Sequence, residues 1–193
     1  MSKSDPASSR KERNKTIRWV VTIFLITIFV SGTISFVSDE IMAHSSIFVA
    51  FVILLAIVLV GIIFDIVGVA VTSADEKPFH SMAARRVPGS QEAIRLLRNA
   101  ERVSSICNDV VGDICGVVSG SASATIAAQV LRNFDFSWPQ VVTLMMSALV
   151  AGLTVGGKAI GKTFAIGSCT TIVHTAGKVI WGIRRLPELL KKK

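Results

Sequence analysis

Four long apolar blocks separated by short polar stretches set the rhythm of this chain. Trp19 to Val37 runs without a charge, long enough at ~1.5 Å per residue to cross about 30 Å of hydrocarbon. Ile47 to Ser73 is a second block, rich in Val, Ile and Leu, with one charge, Asp65, roughly two turns before its end. Blocks over about 105–131 and 141–161 complete the set. The pattern predicts an all-α integral membrane protein of four transmembrane helices, because a soluble globule would disperse the same residues.

The intervening segments place the ends. Met1 to Arg18 is polar and basic and reads as a disordered cytoplasmic tail. A cleaved signal peptide competes for the first span, but the long leader and the lack of a clear A-x-A site favour an uncleaved anchor. The short, slightly acidic VSDEIMAHSS reads as an outside loop. Over 76–103, Pro78 at a helix start and the Pro88-Gly89-Ser90 break predict a helical hairpin on the cytoplasmic membrane surface, with an ordinary solvated linker as the alternative. Its second helix sets Ala93, Leu96, Leu97, Ala100 and Val103 against Arg95, Arg98, Glu101 and Arg102, with Ser90 as N-cap and Glu92 in the first turn. The last segment, 166–193, sets Ile172, Val173, Ala176, Val179, Ile180 and Ile183 against His174, Lys178 and Arg184. A fifth crossing would carry Arg184, Arg185 and the closing lysines outside. We therefore expect an in-plane cytoplasmic helix with Trp181 near the interface and both termini inside the plasma (inner) membrane.

Composition narrows the partners. A mean hydropathy of +0.60 fits a membrane bundle, and the length leaves room for one domain. The net charge of +8 gathers in the tail, the hairpin and the C-terminus, which points to anionic lipid headgroups. Without interleaved aromatic and basic residues it does not point to nucleic acid. Cys107, Cys115 and Cys169 show no CxxC spacing and read as small packing residues.

Chemistry concentrates in the third block. Gly112, Gly116, Gly120, Ala124 and Ala128 recur every fourth position, a ridge that would let a neighbouring backbone approach closely. A shorter stripe, Ala148, Gly152 and Gly156, marks the fourth block. With this topology Asp65, Asp113 and Lys158 fall in one layer of the cytoplasmic half, where intramembrane charge is expensive and functional by default. Asn108, Asp109, Ser104, Ser105, Thr72 and Ser73 add oxygen ligands near the same mouth. Hard divalent cations prefer such ligands, and Mg2+ often keeps its water and takes only one or two carboxylates. The competing reading is an internal ion pair, in which Lys158 neutralises one aspartate, the other is protonated or paired with Lys162, and the cluster fixes helix register. His44, His80 and His174 lie on separate elements, and no nucleophile elbow, HExxH or phosphate-binding glycine motif occurs. No enzyme activity and no organic cofactor are expected.

The order of elements, from a span entering a basic hairpin to a helix ending in GKAIGK and an amphipathic coda, resembles the transmembrane domain of the cyclin M and CorC magnesium transporters over roughly Phe64 to Ala165. The family's Ser-Gly-x-Glu-Thr-Ala-Leu is similar to Asp65-Ile66-Val67-Gly68-Val69-Ala70-Val71, with Asp65 for the serine and Gly68 for the glutamate. Its Gly-Asn is similar to Gly112-Asp113, or after a slip of three residues to Asp109-Val110; its Gly-Glu-x-x-Pro-Lys becomes Gly157-Lys158-Ala159-Ile160-Gly161-Lys162. The resemblance implies Mg2+ transport by a homodimer, with a lysine where the family has an ion-binding glutamate. Either Asp65 and Asp113 restore a relocated cation site, or Lys158 takes the ion's place in a non-transporting relative. The family's nucleotide-sensing CBS pair has no counterpart in this sequence, so a separate cytoplasmic regulatory protein is a further expected partner.

Overall fold

The computed structural model describes residues 6–134 and 138–190, with only the backbone course for 6–16, 43 and 186–190. Every element is helical: α1 Pro6–Ala43, α2 Ile47–Ser73, α3 Lys77–Ala84, α4 Ser90–Arg98, α5 Ala100–Ser105, a π-helical turn Ile106–Gly112, α6 Asp113–Asn133, α7 Pro139–Gly167 and α8 Cys169–Leu190. Among the described residues, four helices are long and apolar enough to cross a membrane: Ile17–Met42, Ile47–Ser73, Ala100–Asn133 and Pro139–Gly167. The protein is an all-α integral membrane protein.

The helices overrun the predicted spans. The first helix starts at Pro6, inside the tail expected to be disordered, and continues through Asp39 and Glu40, which the sequence placed in a loop. The true connection shrinks to three residues, His44 to Ser46, and Ser46 caps α2 by accepting from the Val49 backbone N–H. Asp39 is tolerated in a helix because its charge finds donors on α6, as described below. Lys191 to Lys193 and residues 135–137, in the link between α6 and α7, lie outside the described residues.

Helix α2 is the axis of the bundle, packing against α5, the π turn, α6, α7 and α8. Two apolar clusters lie along it. At one end Ala50, Leu54 and Val58 meet Met42, Ala122, Ile126 and Val150; at the other Ala70 and Val71 meet Phe79, Ala93, Ala165 and Val173. Asp65 lies between these clusters, so its layer is sealed by hydrocarbon above and below. Around the bundle large side chains stay exposed, among them Phe48 at 77%, Leu144 at 70% and Ile160 at 75%. That surface suits a solvent as apolar as the side chains themselves.

Beyond Gly112 the small-residue ridge of α6 does not pack against the other described helices of the chain. Gly112 is buried, but a Cβ on Gly116 or Gly120 would meet nothing within 4 Å, and Ala124 and Ala128 are exposed. The ridge therefore faces outward, because α6 turns Ile114, Val118, Ala122 and Ile126 toward the bundle instead. On α7 the same holds: Ala148, Gly152 and Gly156 are exposed, and the close approach is made by Gly157 and Gly161, which seat Ile62 and Ile66 of α2.

The hairpin forms as a folded layer at one end. Pro78 occupies the first turn of α3 and Glu92 the first turn of α4, as expected. The N-cap of α4, however, is Gly89 at φ 82°, a left-handed position that glycine adopts without strain. Ser90 is already inside the helix, buried, its hydroxyl donating to Val87 O at 2.6 Å. Gly89 also abuts the backbone of Gly177 and Lys178, which docks α8 on this turn. The apolar stripe of α8 is thereby split. Val173 is buried in the layer, whereas Val179 and Ile183 stay 57% and 62% exposed.

Candidate functional site

The polar layer is built from two facing helical surfaces. On α2, Gly61, Asp65 and Gly68 share one face; on the third span, Asn108, Gly112 and Cys115 share another. The glycines make the approach possible. A Cβ on Gly61 would come within 2.9 Å of Cys115 Cβ, and one on Gly68 would collide with the Asn108 carboxamide. Widening of the backbone to i→i+5 bonding occurs here, over Ile106–Gly112, and such π segments are frequent at functional sites.

Helix α7 supplies the cation. Lys158 Nζ lies 3.8 Å from Asp65 Oδ1, with side-chain exposures of 25% and 8%. The ammonium also rests against Gly112, where a Cβ would sit 3.2 Å from it. At 3.8 Å the contact is a charge pair rather than a hydrogen bond. Asn108 Nδ2 donates to Ser104 Oγ at 3.2 Å. Two acceptors remain without a hydrogen-bond partner: Asp65 Oδ2 and Asn108 Oδ1, both buried. Buried oxygens of this kind carry a desolvation cost until a donor or a cation meets them.

The expected carboxylate pair does not form. Asp109 and Asp113 are exposed, each one residue beyond an inward position, Asn108 and Gly112, and so turned by about 100° away from α2. Among the described residues no group of three or more His, Cys, Asp or Glu side chains is placed to hold a metal ion. Ser73 and Thr72 bond their own helix at Val69 O and are exposed, and Lys162 is exposed as well. Gly157 lies against Ile62 rather than at the pair. Of the residues singled out from sequence, the structure thus gathers Asp65, Asn108, Gly112 and Lys158.

A second polar seam escaped the sequence reading. Ser121 Oγ and Thr125 Oγ1 of α6 donate to Asp39 Oδ2 and Oδ1 at 2.6 and 3.2 Å, and Gln129 Nε2 donates to Met42 O. The signal was present as Ser121, Thr125 and Gln129 at i, i+4 and i+8, matched on α1 by Ser31, Ser35, Ser38 and Asp39. Compared with protein-family models, curated proteins and solved structures, the chain gives no match.

Proposed function

We propose that this protein binds and transports a small hard cation, Mg2+ foremost, through the polar layer around Asp65 and Asn108. The observation that carries this reading is the pair of buried, unpartnered oxygens, Asp65 Oδ2 and Asn108 Oδ1. A carboxylate and a carboxamide oxygen are ligands that Mg2+ accepts while keeping several waters. Lys158 acts as the resident counter-charge that keeps Asp65 from being an isolated buried anion, and an arriving cation competes with it. Gly68 and the π turn let the Asn108 carboxamide lie close against α2. The resemblance to the magnesium transporters supports the same reading, and a homodimer with cytoplasmic termini and a separate regulatory partner is the setting we propose for it.

A second reading has its own support in the 3.8 Å contact of Lys158 with Asp65. There the pair is permanent and the protein is a non-transporting membrane scaffold or regulatory partner. Mg2+ flux into proteoliposomes, compared with empty vesicles and with Asp65→Asn, tests the first reading. Flux that is absent, or unchanged in Asp65→Asn, overturns it. Lys158→Met, unfolded with and without Mg2+, separates the two: in the transporter Mg2+ takes the place of the lost ammonium and restores the stability, whereas the scaffold loses about 3–5 kcal/mol by stranding a buried carboxylate whether or not Mg2+ is present.

A further inference from the structure

At the end of the bundle away from α3, α4 and α8, a polar cavity of about 270 Å³ is lined by Ser45, Ser46, Ile47, Gln129, Arg132 and Asn133. Gln129 is 5% exposed; its Nε2 is spent on Met42 O, and its Oε1 is buried without a hydrogen-bond partner. That oxygen needs a donor, and among the described residues none supplies one. Three other parts of the lining have the opposite preference. Arg132, one turn beyond Gln129, brings a guanidinium. Ser46 Oγ accepts from Val49 N, which leaves its own proton to donate. Ile47 opens the 27-residue α2, whose N-terminus carries partial positive charge.

An acceptor that requires a donor, set beside a cluster that requires an anion, specifies an amphoteric ligand. We propose that this cavity is a headgroup site for a phosphoester bearing a primary ammonium, the phosphoethanolamine group. The phosphate lies between Arg132, the Ser46 hydroxyl and the α2 N-terminus, and the ammonium donates to Gln129 Oε1. The flanking surface identifies the source as membrane lipid rather than a soluble phosphoester. Ile41 is 51% exposed, Phe48 77% and Val49 43%, an apolar rim over which acyl chains would run. A quaternary ammonium has no N–H for Gln129, and a glycerol headgroup has no cation, so the site discriminates among phospholipids by chemistry. This inference does not depend on the transport reading.

The test is native mass spectrometry of the intact protein in mixed micelles containing equal phosphatidylethanolamine, phosphatidylcholine and phosphatidylglycerol. Phosphatidylethanolamine adducts should exceed the other two, and Gln129→Met should cut that excess about tenfold by removing the charge-assisted acceptor. Arg132→Gln, a change at an exposed position that leaves the core alone, should weaken retention of all three lipids. Equal retention of the three by the wild type, or an excess that survives both substitutions, overturns the site. Displacement of the lipid by millimolar free phosphoethanolamine would overturn the lipid assignment.

Discussion

Single glycines carry much of the packing around Asp65. Gly68 has no room for a methyl group because the Asn108 carboxamide fills that space, whereas Gly116 faces open space. Gly68→Ala should therefore cost about 1–3 kcal/mol by overpacking, and Gly116→Ala should stay within about 0.5 kcal/mol of wild type. Equilibrium unfolding in mixed micelles reads both, and equal effects would mean that the α2 approach is not the tight one. At this scale the residues Asp65, Lys158 and Asn108 were legible, since a charge or an amide in an apolar span announces itself. The outward turn of Asp113 was not: one residue separates it from Gly112, and only the packing of α6 chooses between them.

Helical elements add a second level of constraint. Helix α1 reads as a plain anchor, yet it is stitched to α6 through Asp39, Ser121 and Thr125. Replacing Asp39 with Leu should lower bundle stability by about 0.6–1.7 kcal/mol, less than in a dry soluble core because the Thr125 hydroxyl already has Ser121 O within 3.4 Å as a substitute. Unfolding of Asp39→Leu beside Asp39→Asn, which keeps an acceptor, measures it. In the hairpin, the Arg98 guanidinium bonded to Glu76 at 3.1 Å, with His80 beside it, holds the Glu76 carboxyl below its ordinary value. A carboxyl lowered on folding adds stability above its unfolded value and loses it as pH falls through the folded one. Hydrogen-exchange protection factors across 76–98, corrected for the intrinsic exchange rate at each pH, should thus fall on acidification below the usual glutamate range, and Glu76→Gln should flatten that response.

Taken whole, the molecule leaves the outer side of α6 uncovered by its own contacts: Asp113, Val117, Gly120, Ala124 and Ala128 share it and are exposed. A carboxylate and a small-residue groove facing acyl chains are costly unless another surface covers them, and a second copy is the proposed cover. A Cβ on Gly120 would meet nothing within 4 Å, so Gly120→Leu should preserve the fold while shifting the mass in detergent, read by light scattering, from dimer to monomer. A wild type that is already monomeric would remove the dimer from the reading.

The sequence by itself determined the class, the four spans and the amphipathic end layer, because hydrophobic length and helical period are local properties that the bilayer reads directly. It also identified Asp65 and Lys158 as charges of similar depth, since depth follows from counting residues along a helix. Rotation of each helix about its axis was decided only in the tertiary structure. Small residues can face either a neighbouring helix or the lipid, and a sequence stripe does not say which. The π turn at Ile106–Gly112, the inward choice of Asn108 over Asp109 and the docking of Asp39 on α6 all follow from interhelical fit around Gly61 and Gly68 and from hydrogen-bond donors far away in the chain.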